Sequence, residues 1–406
     1  MRSLLDEIKY ISDNFGPRIA GSEADGKTIK YLEQRFHSFS KDVSTESFPV
    51  VGRSLQYLII FLVYGYFFSV IAYVFLAPLS LGLAITMLIV YYLARFQDKN
   101  LVNLLVKKTE TSNVIAKFEP KGEKKLTIIF SGHHDSAFHM PLFEKKLKQI
   151  VLIQNGALLG IVMLVIASIW KTIFMITDVV GFLEIVRYNI GSLQVVWLLL
   201  PDLFFLLAFI GLFLGFYFLA NMVTKTPLIG ANDNLTSVVI LLGLGEYLKK
   251  NPPNNLEVYL VSFGAEEPGL NGSKFFVDKR KNELVGSINI NFETVGSGQL
   301  GVIEIEKDNN VVHDSKLVKF IQDVGEKNGY KLPAMKIHYG NTDAGSFSKR
   351  KLVATTIFGY GKNDVFDLWH STEDIPDNLN SKILEDAFNL TIHVLKEFEK
   401  IEEDWF

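Results

Sequence analysis

The pattern of apolar and polar positions divides this chain into two kinds of segment. Three blocks are continuously apolar: residues 55–96, which Ala77-Pro78 splits in two, residues 150–170 and residues 201–223. A helix needs about 20 apolar residues to cross a bilayer, and core helices are rarely apolar on every face over that length. The pattern therefore predicts four transmembrane helices, arranged as one hairpin over residues 53–96 and a second over residues 150–221.

The remaining segments alternate between helical and extended patterns. Helices are predicted within the first 52 residues and at residues 235–249 and 384–403, and strands at residues 113–118, 126–130, 256–263, 287–292 and 354–358. This alternation favours an α/β sandwich. Each hairpin returns the chain to the side from which it started. We therefore expect one discontinuous domain made of residues 1–52, 97–149 and 222–406.

Three finer features follow from the same pattern. Ser22 is predicted to begin a helix with Asp25 as its capping partner. The connection over residues 171–200 shows a helical periodicity suited to the membrane interface. Gly156 with Gly160, and Gly211 with Gly215, have the spacing that lets membrane helices approach closely.

Composition and charge narrow the functional classes. Hydrophobic residues make up 49% of the chain, the formal net charge is −3, and cysteine is absent. Basic residues form no stripe, which argues against nucleic-acid binding, and disulfides are excluded. The N-terminus lacks the apolar core of a signal peptide.

The distribution of basic residues indicates an orientation in the membrane. They concentrate on the side of the polar segments, at Arg53, Arg95, Lys99, Lys145, Lys146, Lys148 and Lys225, whereas the far side has Lys171 and Arg187. The positive-inside rule then places the polar domain in the cytoplasm.

The first candidate for chemistry is His133-His134-Asp135, which leaves an apolar strand. Alternate residues of an extended chain share a side, so His133 and Asp135 can face one site. A neutral imidazole suits zinc, and a nearby carboxylate can orient it. Alone, the triplet is also compatible with a polar loop.

Four later stretches strengthen the case. Asp233 lies at the start of a predicted helix, the adjacent Glu266 and Glu267 close a strand, Glu293 ends the next strand, and His370 lies in a late loop. Adjacent carboxylates repel one another unless a cation compensates. Acidic residues at several strand ends of one sheet are typical of a metal site.

The chain contains the motifs Gly16-Pro17-Arg18-Ile19-Ala20-Gly21-Ser22-Glu23, Asn113-Val114-Ile115-Ala116, His133-His134-Asp135-Ser136, Gly230-Ala231-Asn232-Asp233-Asn234, Ala265-Glu266-Glu267 and His370-Ser371-Thr372-Glu373-Asp374. Taken together, these motifs resemble the family-28 zinc metallopeptidases, the di-zinc aminopeptidase family. The resemblance implies a three-layer α/β/α sandwich with a mixed β-sheet, interrupted here by the two hairpins.

The resemblance also implies roles for individual residues. His133 and Glu267 would hold one zinc ion, Glu293 and His370 the other, and Asp233 would bridge both, giving two zinc ions per chain. Glu266 corresponds to the general base, Asp135 to the carboxylate behind His133, and Tyr339 to a tyrosine that stabilises the oxyanion. The implied function is a membrane-anchored aminopeptidase that acts on peptides.

Two departures from the family pattern leave alternatives open. Glu293 stands where most members carry Asp, although membrane-embedded relatives resembling the endoplasmic-reticulum metallopeptidase also use Glu. A single-zinc site would instead suit a glutaminyl-cyclase-like transferase, and dipeptidase or carboxypeptidase activity is also compatible with the motifs. A receptor-like protein without catalysis is disfavoured, because such a protein would be expected to lack the metal ligands that this chain retains. A transporter is disfavoured because the spans contain few ionisable residues.

The second departure is the hairpin between His133 and Asp233. His133 lies about 17 residues before the apolar block at residues 150–170. Since an extended chain spans at most about 3.5 Å per residue, we expect the site to lie near the bilayer. Expected partners are the lipid bilayer and apolar or membrane-derived peptides, with a homodimer left as one alternative.

Overall fold

The computed structural model describes residues 2–97, 99–144, 147–177, 184–190, 193–361, 366–401 and 405. Lys145 and Lys146, two of the basic residues used to predict the orientation, lie outside these ranges.

The described part of the chain contains helices and strands in alternation. The helices are α1 (Leu4–Phe15), α2 (Glu23–His37), α3 (Ser54–Phe75), α4 (Ala77–Phe96), α5 (Leu147–Thr177), α6 (Leu199–Met222), α7 (Thr236–Lys250), α8 (Asn271–Lys279), α9 (Ser315–Lys327), α10 (Asp343–Ser348) and α11 (Ser381–Phe398). The strands are β1 (Asp42–Val50), β2 (Thr109–Phe118), β3 (Leu126–His133), β4 (Glu184–Ile190), β5 (Leu193–Leu198), β6 (Leu256–Phe263), β7 (Ser287–Glu293), β8 (Gln299–Glu306), β9 (Val311–Val312), β10 (Ala334–Ile337) and β11 (Val353–Tyr360).

Two compact units account for these elements. The first, here called the sheet unit, comprises Met1–Gly52, Lys108–His139 and Thr226–Phe406. The second, called the helical unit, comprises Arg53–Lys107 and Met140–Lys225.

A mixed nine-stranded sheet organises the sheet unit. Its order is β1-β2-β6-β3-β7-β11-β8-β10, with β9 paired to β8. The central strands β6, β3, β7 and β11 run parallel, whereas β1 with β2, β2 with β6, and β8 with β11 are antiparallel. The mixed sheet predicted from the family resemblance is confirmed.

Helices cover both faces of this sheet because its central strands are apolar on both sides. In β3, Ile128 and Phe130 belong to one core cluster with residues of α1, α2, α7, α9 and α11. The intervening Ile129 belongs to another, with residues of α8 and α10. Continuous apolar runs are typical of parallel strands buried between helical layers. The three-layer α/β/α prediction is therefore also confirmed.

The predicted cap of α2 forms with one difference. The Ser22 hydroxyl accepts a hydrogen bond from the Asp25 backbone N–H at 3.2 Å, as expected for an N-cap. The Asp25 carboxylate returns to the N–H of Gly21 at 2.8 Å rather than to that of Ser22. Both contacts satisfy N–H groups at the start of the helix.

The helical unit contains the four predicted spans. The helices Ser54–Phe75, Ala77–Phe96, Gln149–Thr177 and Leu200–Met222 are long and apolar enough to cross a membrane. Where α5 and α6 cross, a Cβ added to Gly160 would lie 2.8 Å from the Cα of Gly211. Tyr66 of α3 donates its hydroxyl to the carbonyl of Ala208 at the same crossing. The glycine pattern thus marks a close approach of two helices, as predicted.

The helical prediction for residues 171–200 is wrong for residues 184–190 and 193–198, whereas residues 178–183, 191 and 192 lie outside the described part of the chain. Helix α5 continues only to Thr177, and β4 and β5 then pair as antiparallel strands. Residues 184–198 are rich in β-branched and aromatic side chains, which favour strands.

At the points where the chain leaves and re-enters the sheet unit, its two ends are paired. Val50 at the end of β1 is the antiparallel partner of Thr109 in β2. Similarly, the His139 N–H donates to the Thr226 carbonyl at 2.9 Å, and the Leu228 N–H to the Ala137 carbonyl at 2.9 Å. Each insertion therefore begins and ends at neighbouring positions of the sheet unit.

Candidate metal centre

The carboxyl ends of three parallel strands bring the predicted site residues to one edge of the sheet. His133 is the last residue of β3, and Glu293 is the last residue of β7. Glu266 and Glu267 follow shortly after β6. Because β3 pairs with both β6 and β7, these side chains converge.

Asp233 lies at the centre of the group. Its Oδ1 is 3.2 Å from Nε2 of His133, and its Oδ2 is 3.5 Å from Nε2 of His370. Asp233 belongs to a single irregular turn, Ala231–Leu235, in which its backbone angles are not helical. Each of its oxygens therefore faces a different histidine, as a bridging carboxylate requires.

The pairing of the remaining ligands differs from the one that the resemblance implied. His133 Nε2 is 3.5 Å from Oε1 of Glu293, and His370 Nε2 is 3.1 Å from Oε2 of Glu267. The two groups that share Asp233 are thus His133 with Glu293 and His370 with Glu267. His133 and Glu267 also meet in a third group, with Glu266, so the implied pairing of these two residues stays a prediction.

Strand register explains why His133 lies close to Glu293. Ser131 of β3 is the partner of Asn291 in β7, which brings the ends of both strands, His133 and Glu293, to the same level. Glu267 lies four residues beyond the end of β6 and can turn toward His370. Spacing along the sequence does not contain this information.

Glu266 lies beside the ligands, with Oε2 at 3.8 Å from Nε2 of His133. Burial raises the pKa of its carboxyl well above the ordinary value, and the charges of Glu267 and Asp343 add to the effect while His133 opposes it. A raised pKa brings a carboxyl closer to the pH at which an acid–base catalyst exchanges protons effectively.

Asp135 fixes the loop that carries the two glutamates. Its Oδ1 accepts a hydrogen bond from the Glu266 N–H at 3.0 Å, and its Oδ2 accepts one from the Glu267 N–H at 3.2 Å. Oδ1 is also 3.4 Å from Nδ1 of His133, whose ring lies 3.1 Å from the Asp135 carbonyl oxygen. The side chain therefore orients ligands on two strands.

Asp374 fixes the backbone at Asp233 in the same way that Asp135 fixes the loop of the two glutamates. Its role was not predicted from the sequence. Its Oδ1 accepts from the Asn232 N–H at 2.5 Å and its Oδ2 from the Asp233 N–H at 3.1 Å. Burial raises its pKa to about 7, with Asp233 contributing. Its position four residues after His370, within a recognised motif, was the available signal.

The loop from Tyr339 to Asp343 contributes a buried acid. Asp343, the first residue of α10, is fully buried, and burial raises its pKa to about 7 while His133 opposes the shift. Its charge also raises the pKa of Glu266 and Glu293. Tyr339 is half-buried, and its pKa is raised by burial and then by Asp308, not by a member of this cluster.

Backbone strain is concentrated beside the ligands. Ala265 precedes Glu266, Thr294 follows Glu293, and both adopt a left-handed conformation, with φ of 56° and 52°. His370 itself has φ of 51°. Such angles cost non-glycine residues about 1–3 kcal/mol and persist mainly where function requires them.

The donor set fits zinc. Among the described residues, His133 Nε2, Asp233 Oδ2, Glu267 Oε1 and Glu293 Oε2 are buried polar atoms with no hydrogen-bond partner. Burial raises the pKa of Glu293 to about 8. Although burial opposes it, Glu293 and Glu266 raise the pKa of His133 well above its ordinary value. Cations bound by these imidazole and carboxylate groups would offset the mutual repulsion of the buried carboxylates.

Comparison with known proteins agrees with this geometry. Residues 219–395 match the model of peptidase family M28. The chain is 28% identical to aminopeptidase YwaD of Bacillus subtilis over 183 residues, which is 43% of this chain and 39% of that protein. The match therefore spans about two-fifths of that relative's length.

Solved structures share the fold at low identity. BSAP, a zinc aminopeptidase from Bacillus subtilis, has a TM-score of 0.56 at 15% identity, covering 97% of this chain and 94% of that one. A glutaminyl cyclase from an Acidobacteriales bacterium has a TM-score of 0.56 at 12% identity, covering 98% and 94%. A leucine aminopeptidase precursor from Bacteroides thetaiotaomicron has a TM-score of 0.55 at 13% identity, covering 97% and 95%.

The motifs, the match of residues 219–395 and the shared fold make this chain similar to peptidase family M28 and to the zinc aminopeptidases of known structure.

Proposed function

We propose that this protein is a membrane-anchored zinc aminopeptidase that removes N-terminal residues from peptides. The observation that carries the proposal is the position of Asp233 between His133 and His370, with the acid Glu266 alongside. The similarity to aminopeptidase YwaD supports the exopeptidase assignment.

The side chains divide the reaction between them. When bound, zinc would polarise the scissile carbonyl and acidify the attacking water. Glu266 would accept that water's proton and pass it to the leaving amine, and Asp135 would keep Glu266 in place. Tyr339 is proposed to donate to the developing oxyanion.

In the proposed site, His133 and Glu293 would hold one zinc ion, His370 and Glu267 would hold a second, and Asp233 would contribute to both. Metal analysis of the purified protein tests this number. About one zinc per chain would contradict it and favour a mononuclear site.

Glu266→Gln tests the catalytic assignment. The amide cannot transfer the proton, so we expect loss of nearly all turnover of a peptide library read by mass spectrometry, with zinc content unchanged. Glu326→Gln, an exposed substitution in α9, is the matched control and should remain active. Near-normal turnover by Glu266→Gln would refute the role.

A glutaminyl-cyclase-like activity is the second candidate, because a glutaminyl cyclase resembles this fold as closely as the aminopeptidases do. Ammonia release from peptides with N-terminal glutamine, without release of glutamine, would favour it. The same library distinguishes dipeptidase and carboxypeptidase activity by which bond is cut.

The four apolar helices support anchoring in a bilayer, and the distribution of basic residues supports a cytoplasmic sheet unit. Protease accessibility in sealed vesicles tests that orientation. We further propose that substrates are apolar or membrane-derived peptides, because the chain passes through the apolar hairpin between His133 and Asp233. Equal turnover of short hydrophilic and long hydrophobic peptides would count against this preference.

A further inference from the structure

Arg18 is a fully buried arginine whose side chain contacts main-chain carbonyls. Its Nε donates to the carbonyl of His134 at 2.7 Å, its Nη1 to Gly16 at 3.1 Å and Ile229 at 2.7 Å, and its Nη2 to Gly230 at 3.0 Å. A guanidinium has five N–H donors in a rigid plane, and here they join three segments that are distant in sequence.

Two of those segments carry zinc-ligand candidates. His134 directly follows His133, and Gly230 lies three residues before Asp233. The main chain strengthens the connection: the Arg18 N–H donates to the Ser136 hydroxyl at 2.9 Å, and the Ser136 N–H donates to the Arg18 carbonyl at 3.1 Å.

The loop at Gly230 leaves little freedom for adjustment. A Cβ at Gly230, where φ is +62°, would lie 2.3 Å from the Asp233 carbonyl oxygen, 2.9 Å from the Cβ of Ser136 and 3.3 Å from Nη2 of Arg18. The guanidinium therefore fills the space between the two ligand segments in close contact with both.

Electrostatics favour the same role. Asp374 and Asp135, which hold Asp233, Glu266 and Glu267 through their N–H groups, are the first two charges that stabilise the Arg18 cation against the cost of its burial. Losing this cation would remove a positive charge that lies beside the buried carboxylates of Asp374 and Asp135.

We propose that Arg18 is a positioning residue of the zinc site, which sets the separation of the His133 and Asp233 segments and offsets the charge of the acids behind them. The inference rests on the proposed zinc-dependent function and assigns a role to the Gly16-Pro17-Arg18 motif.

The test measures zinc affinity in the full-length protein, by titrating the metal-free form against a competing chelator, for Arg18→Gln and Arg18→Lys. Since loss of a group that orients metal ligands costs roughly 10–100-fold in metal affinity, we expect Arg18→Gln to bind zinc at least tenfold more weakly. Lysine keeps the charge but cannot reach four carbonyls, so Arg18→Lys should recover part of the affinity.

The matched control is Arg280→Gln. Arg280 is another largely buried arginine of the sheet unit, and it donates to Glu46 at 2.6 Å. Its loss should lower the unfolding temperature while zinc affinity stays within about twofold of wild type.

Each outcome decides between a positioning role and a purely structural one. If Arg18→Gln unfolds at a lower temperature but binds zinc as tightly as wild type, the proposal is overturned. If Arg18→Gln does not fold, Arg18→Lys decides in the same way. A wild-type protein that binds zinc but cleaves no peptide would refute the proposed activity and leave this measurement intact, whereas one that binds no zinc would refute both.

Discussion

At the scale of single residues, two buried aspartates position the acids of the site by the same means. Asp135 accepts from two consecutive N–H groups, of Glu266 and Glu267, and Asp374 accepts from those of Asn232 and Asp233. A carboxylate is suited to this because both of its oxygens accept hydrogen bonds. An amide would present a donor to one of the two N–H groups.

Asp374→Asn should therefore disturb Asp233 without removing a zinc ligand. We expect zinc affinity to fall by about tenfold or more, as measured by chelator competition. Asp314→Asn is the control, because Asp314 caps α9 through the Leu317 N–H and asparagine caps helices equally well. Unchanged zinc affinity in Asp374→Asn would show that one accepting oxygen suffices.

The raised pKa values predict how the metal-free protein responds to pH. Burial raises the pKa of Glu293 to about 8 and that of Asp374 to about 7. The folded protein then keeps protons that the unfolded chain releases above about pH 4, so stability falls as the pH rises toward 8. His133, whose pKa is also raised, acts in the same direction from its ordinary value upward.

In the presence of a chelator, the unfolding temperature should thus decrease from about pH 5.5 to pH 8.5. Zinc needs deprotonated ligands, so its stabilising effect should grow over the same range. Thermal unfolding at a series of pH values, with and without zinc, checks both trends. A metal-free protein that becomes more stable with rising pH would contradict the prediction.

Much of the site could be predicted from residue types, but not its pairings. Four of the five ligand candidates and Glu266 lie in the family motifs, whereas Glu293 was found at the end of a predicted strand, and the structure brings all six together. The resemblance paired Glu293 with His370, whereas the structure brings Glu293 close to His133, because their proximity depends on the register of β3 against β7. Asp374 was missed because its contacts are to backbone N–H groups, which the sequence does not display.

At the scale of secondary-structure elements, the crossing of α5 and α6 depends on the absence of side chains. A Cβ at Gly160 would lie 2.3 Å from the Tyr66 hydroxyl and 2.8 Å from the Gly211 Cα, whereas one at Gly82 would meet nothing within 4 Å. Without a hydrophobic driving force between helices in lipid, close packing supplies much of their association.

Gly160→Ala should consequently destabilise the helical unit by about 1–3 kcal/mol, the usual cost of overpacking. Gly82→Ala, the same chemical change in α4, should be neutral or slightly stabilising. Thermal unfolding in detergent compares the two variants. Equal unfolding temperatures would show that the crossing adjusts to an added methyl group.

Continuous apolar segments could be predicted better than segments in which apolar and polar residues are mixed. The long apolar spans and the buried parallel strands were clear from continuous apolar runs. The β4–β5 pair was misread because polar residues interspersed among apolar ones satisfied a helical period, while β-branched residues decided the outcome.

At the scale of the whole molecule, the two segments of the helical unit interrupt the sequence of the sheet unit. Each segment begins and ends at positions of the sheet unit that pair with each other. Val50 faces Thr109, and His139 is hydrogen-bonded to Thr226. Antiparallel neighbours of this kind can be joined by a two-residue turn. The sheet unit thus keeps its connectivity if each insertion is replaced by such a turn.

A chain in which short turns replace residues 53–107 and 140–225 should fold and bind zinc. Zinc content and a cooperative thermal transition are the measurements, with Asp233→Asn in the same shortened chain as the control for specific binding. Failure to fold, when the full-length protein folds in detergent, would show that the sheet unit needs the helical unit for its stability.

The central position of β3 also has a consequence for biosynthesis. Its two neighbours, β6 and β7, are both encoded after the second insertion, so the ribosome must complete α5 and α6 before either edge of β3 can pair. During that interval an apolar strand with two open edges is exposed to aggregation. Synthesis of the second insertion therefore precedes completion of the sheet, and a chain stalled there would expose β3 before Asp233, Glu267, Glu293 and His370 had been made.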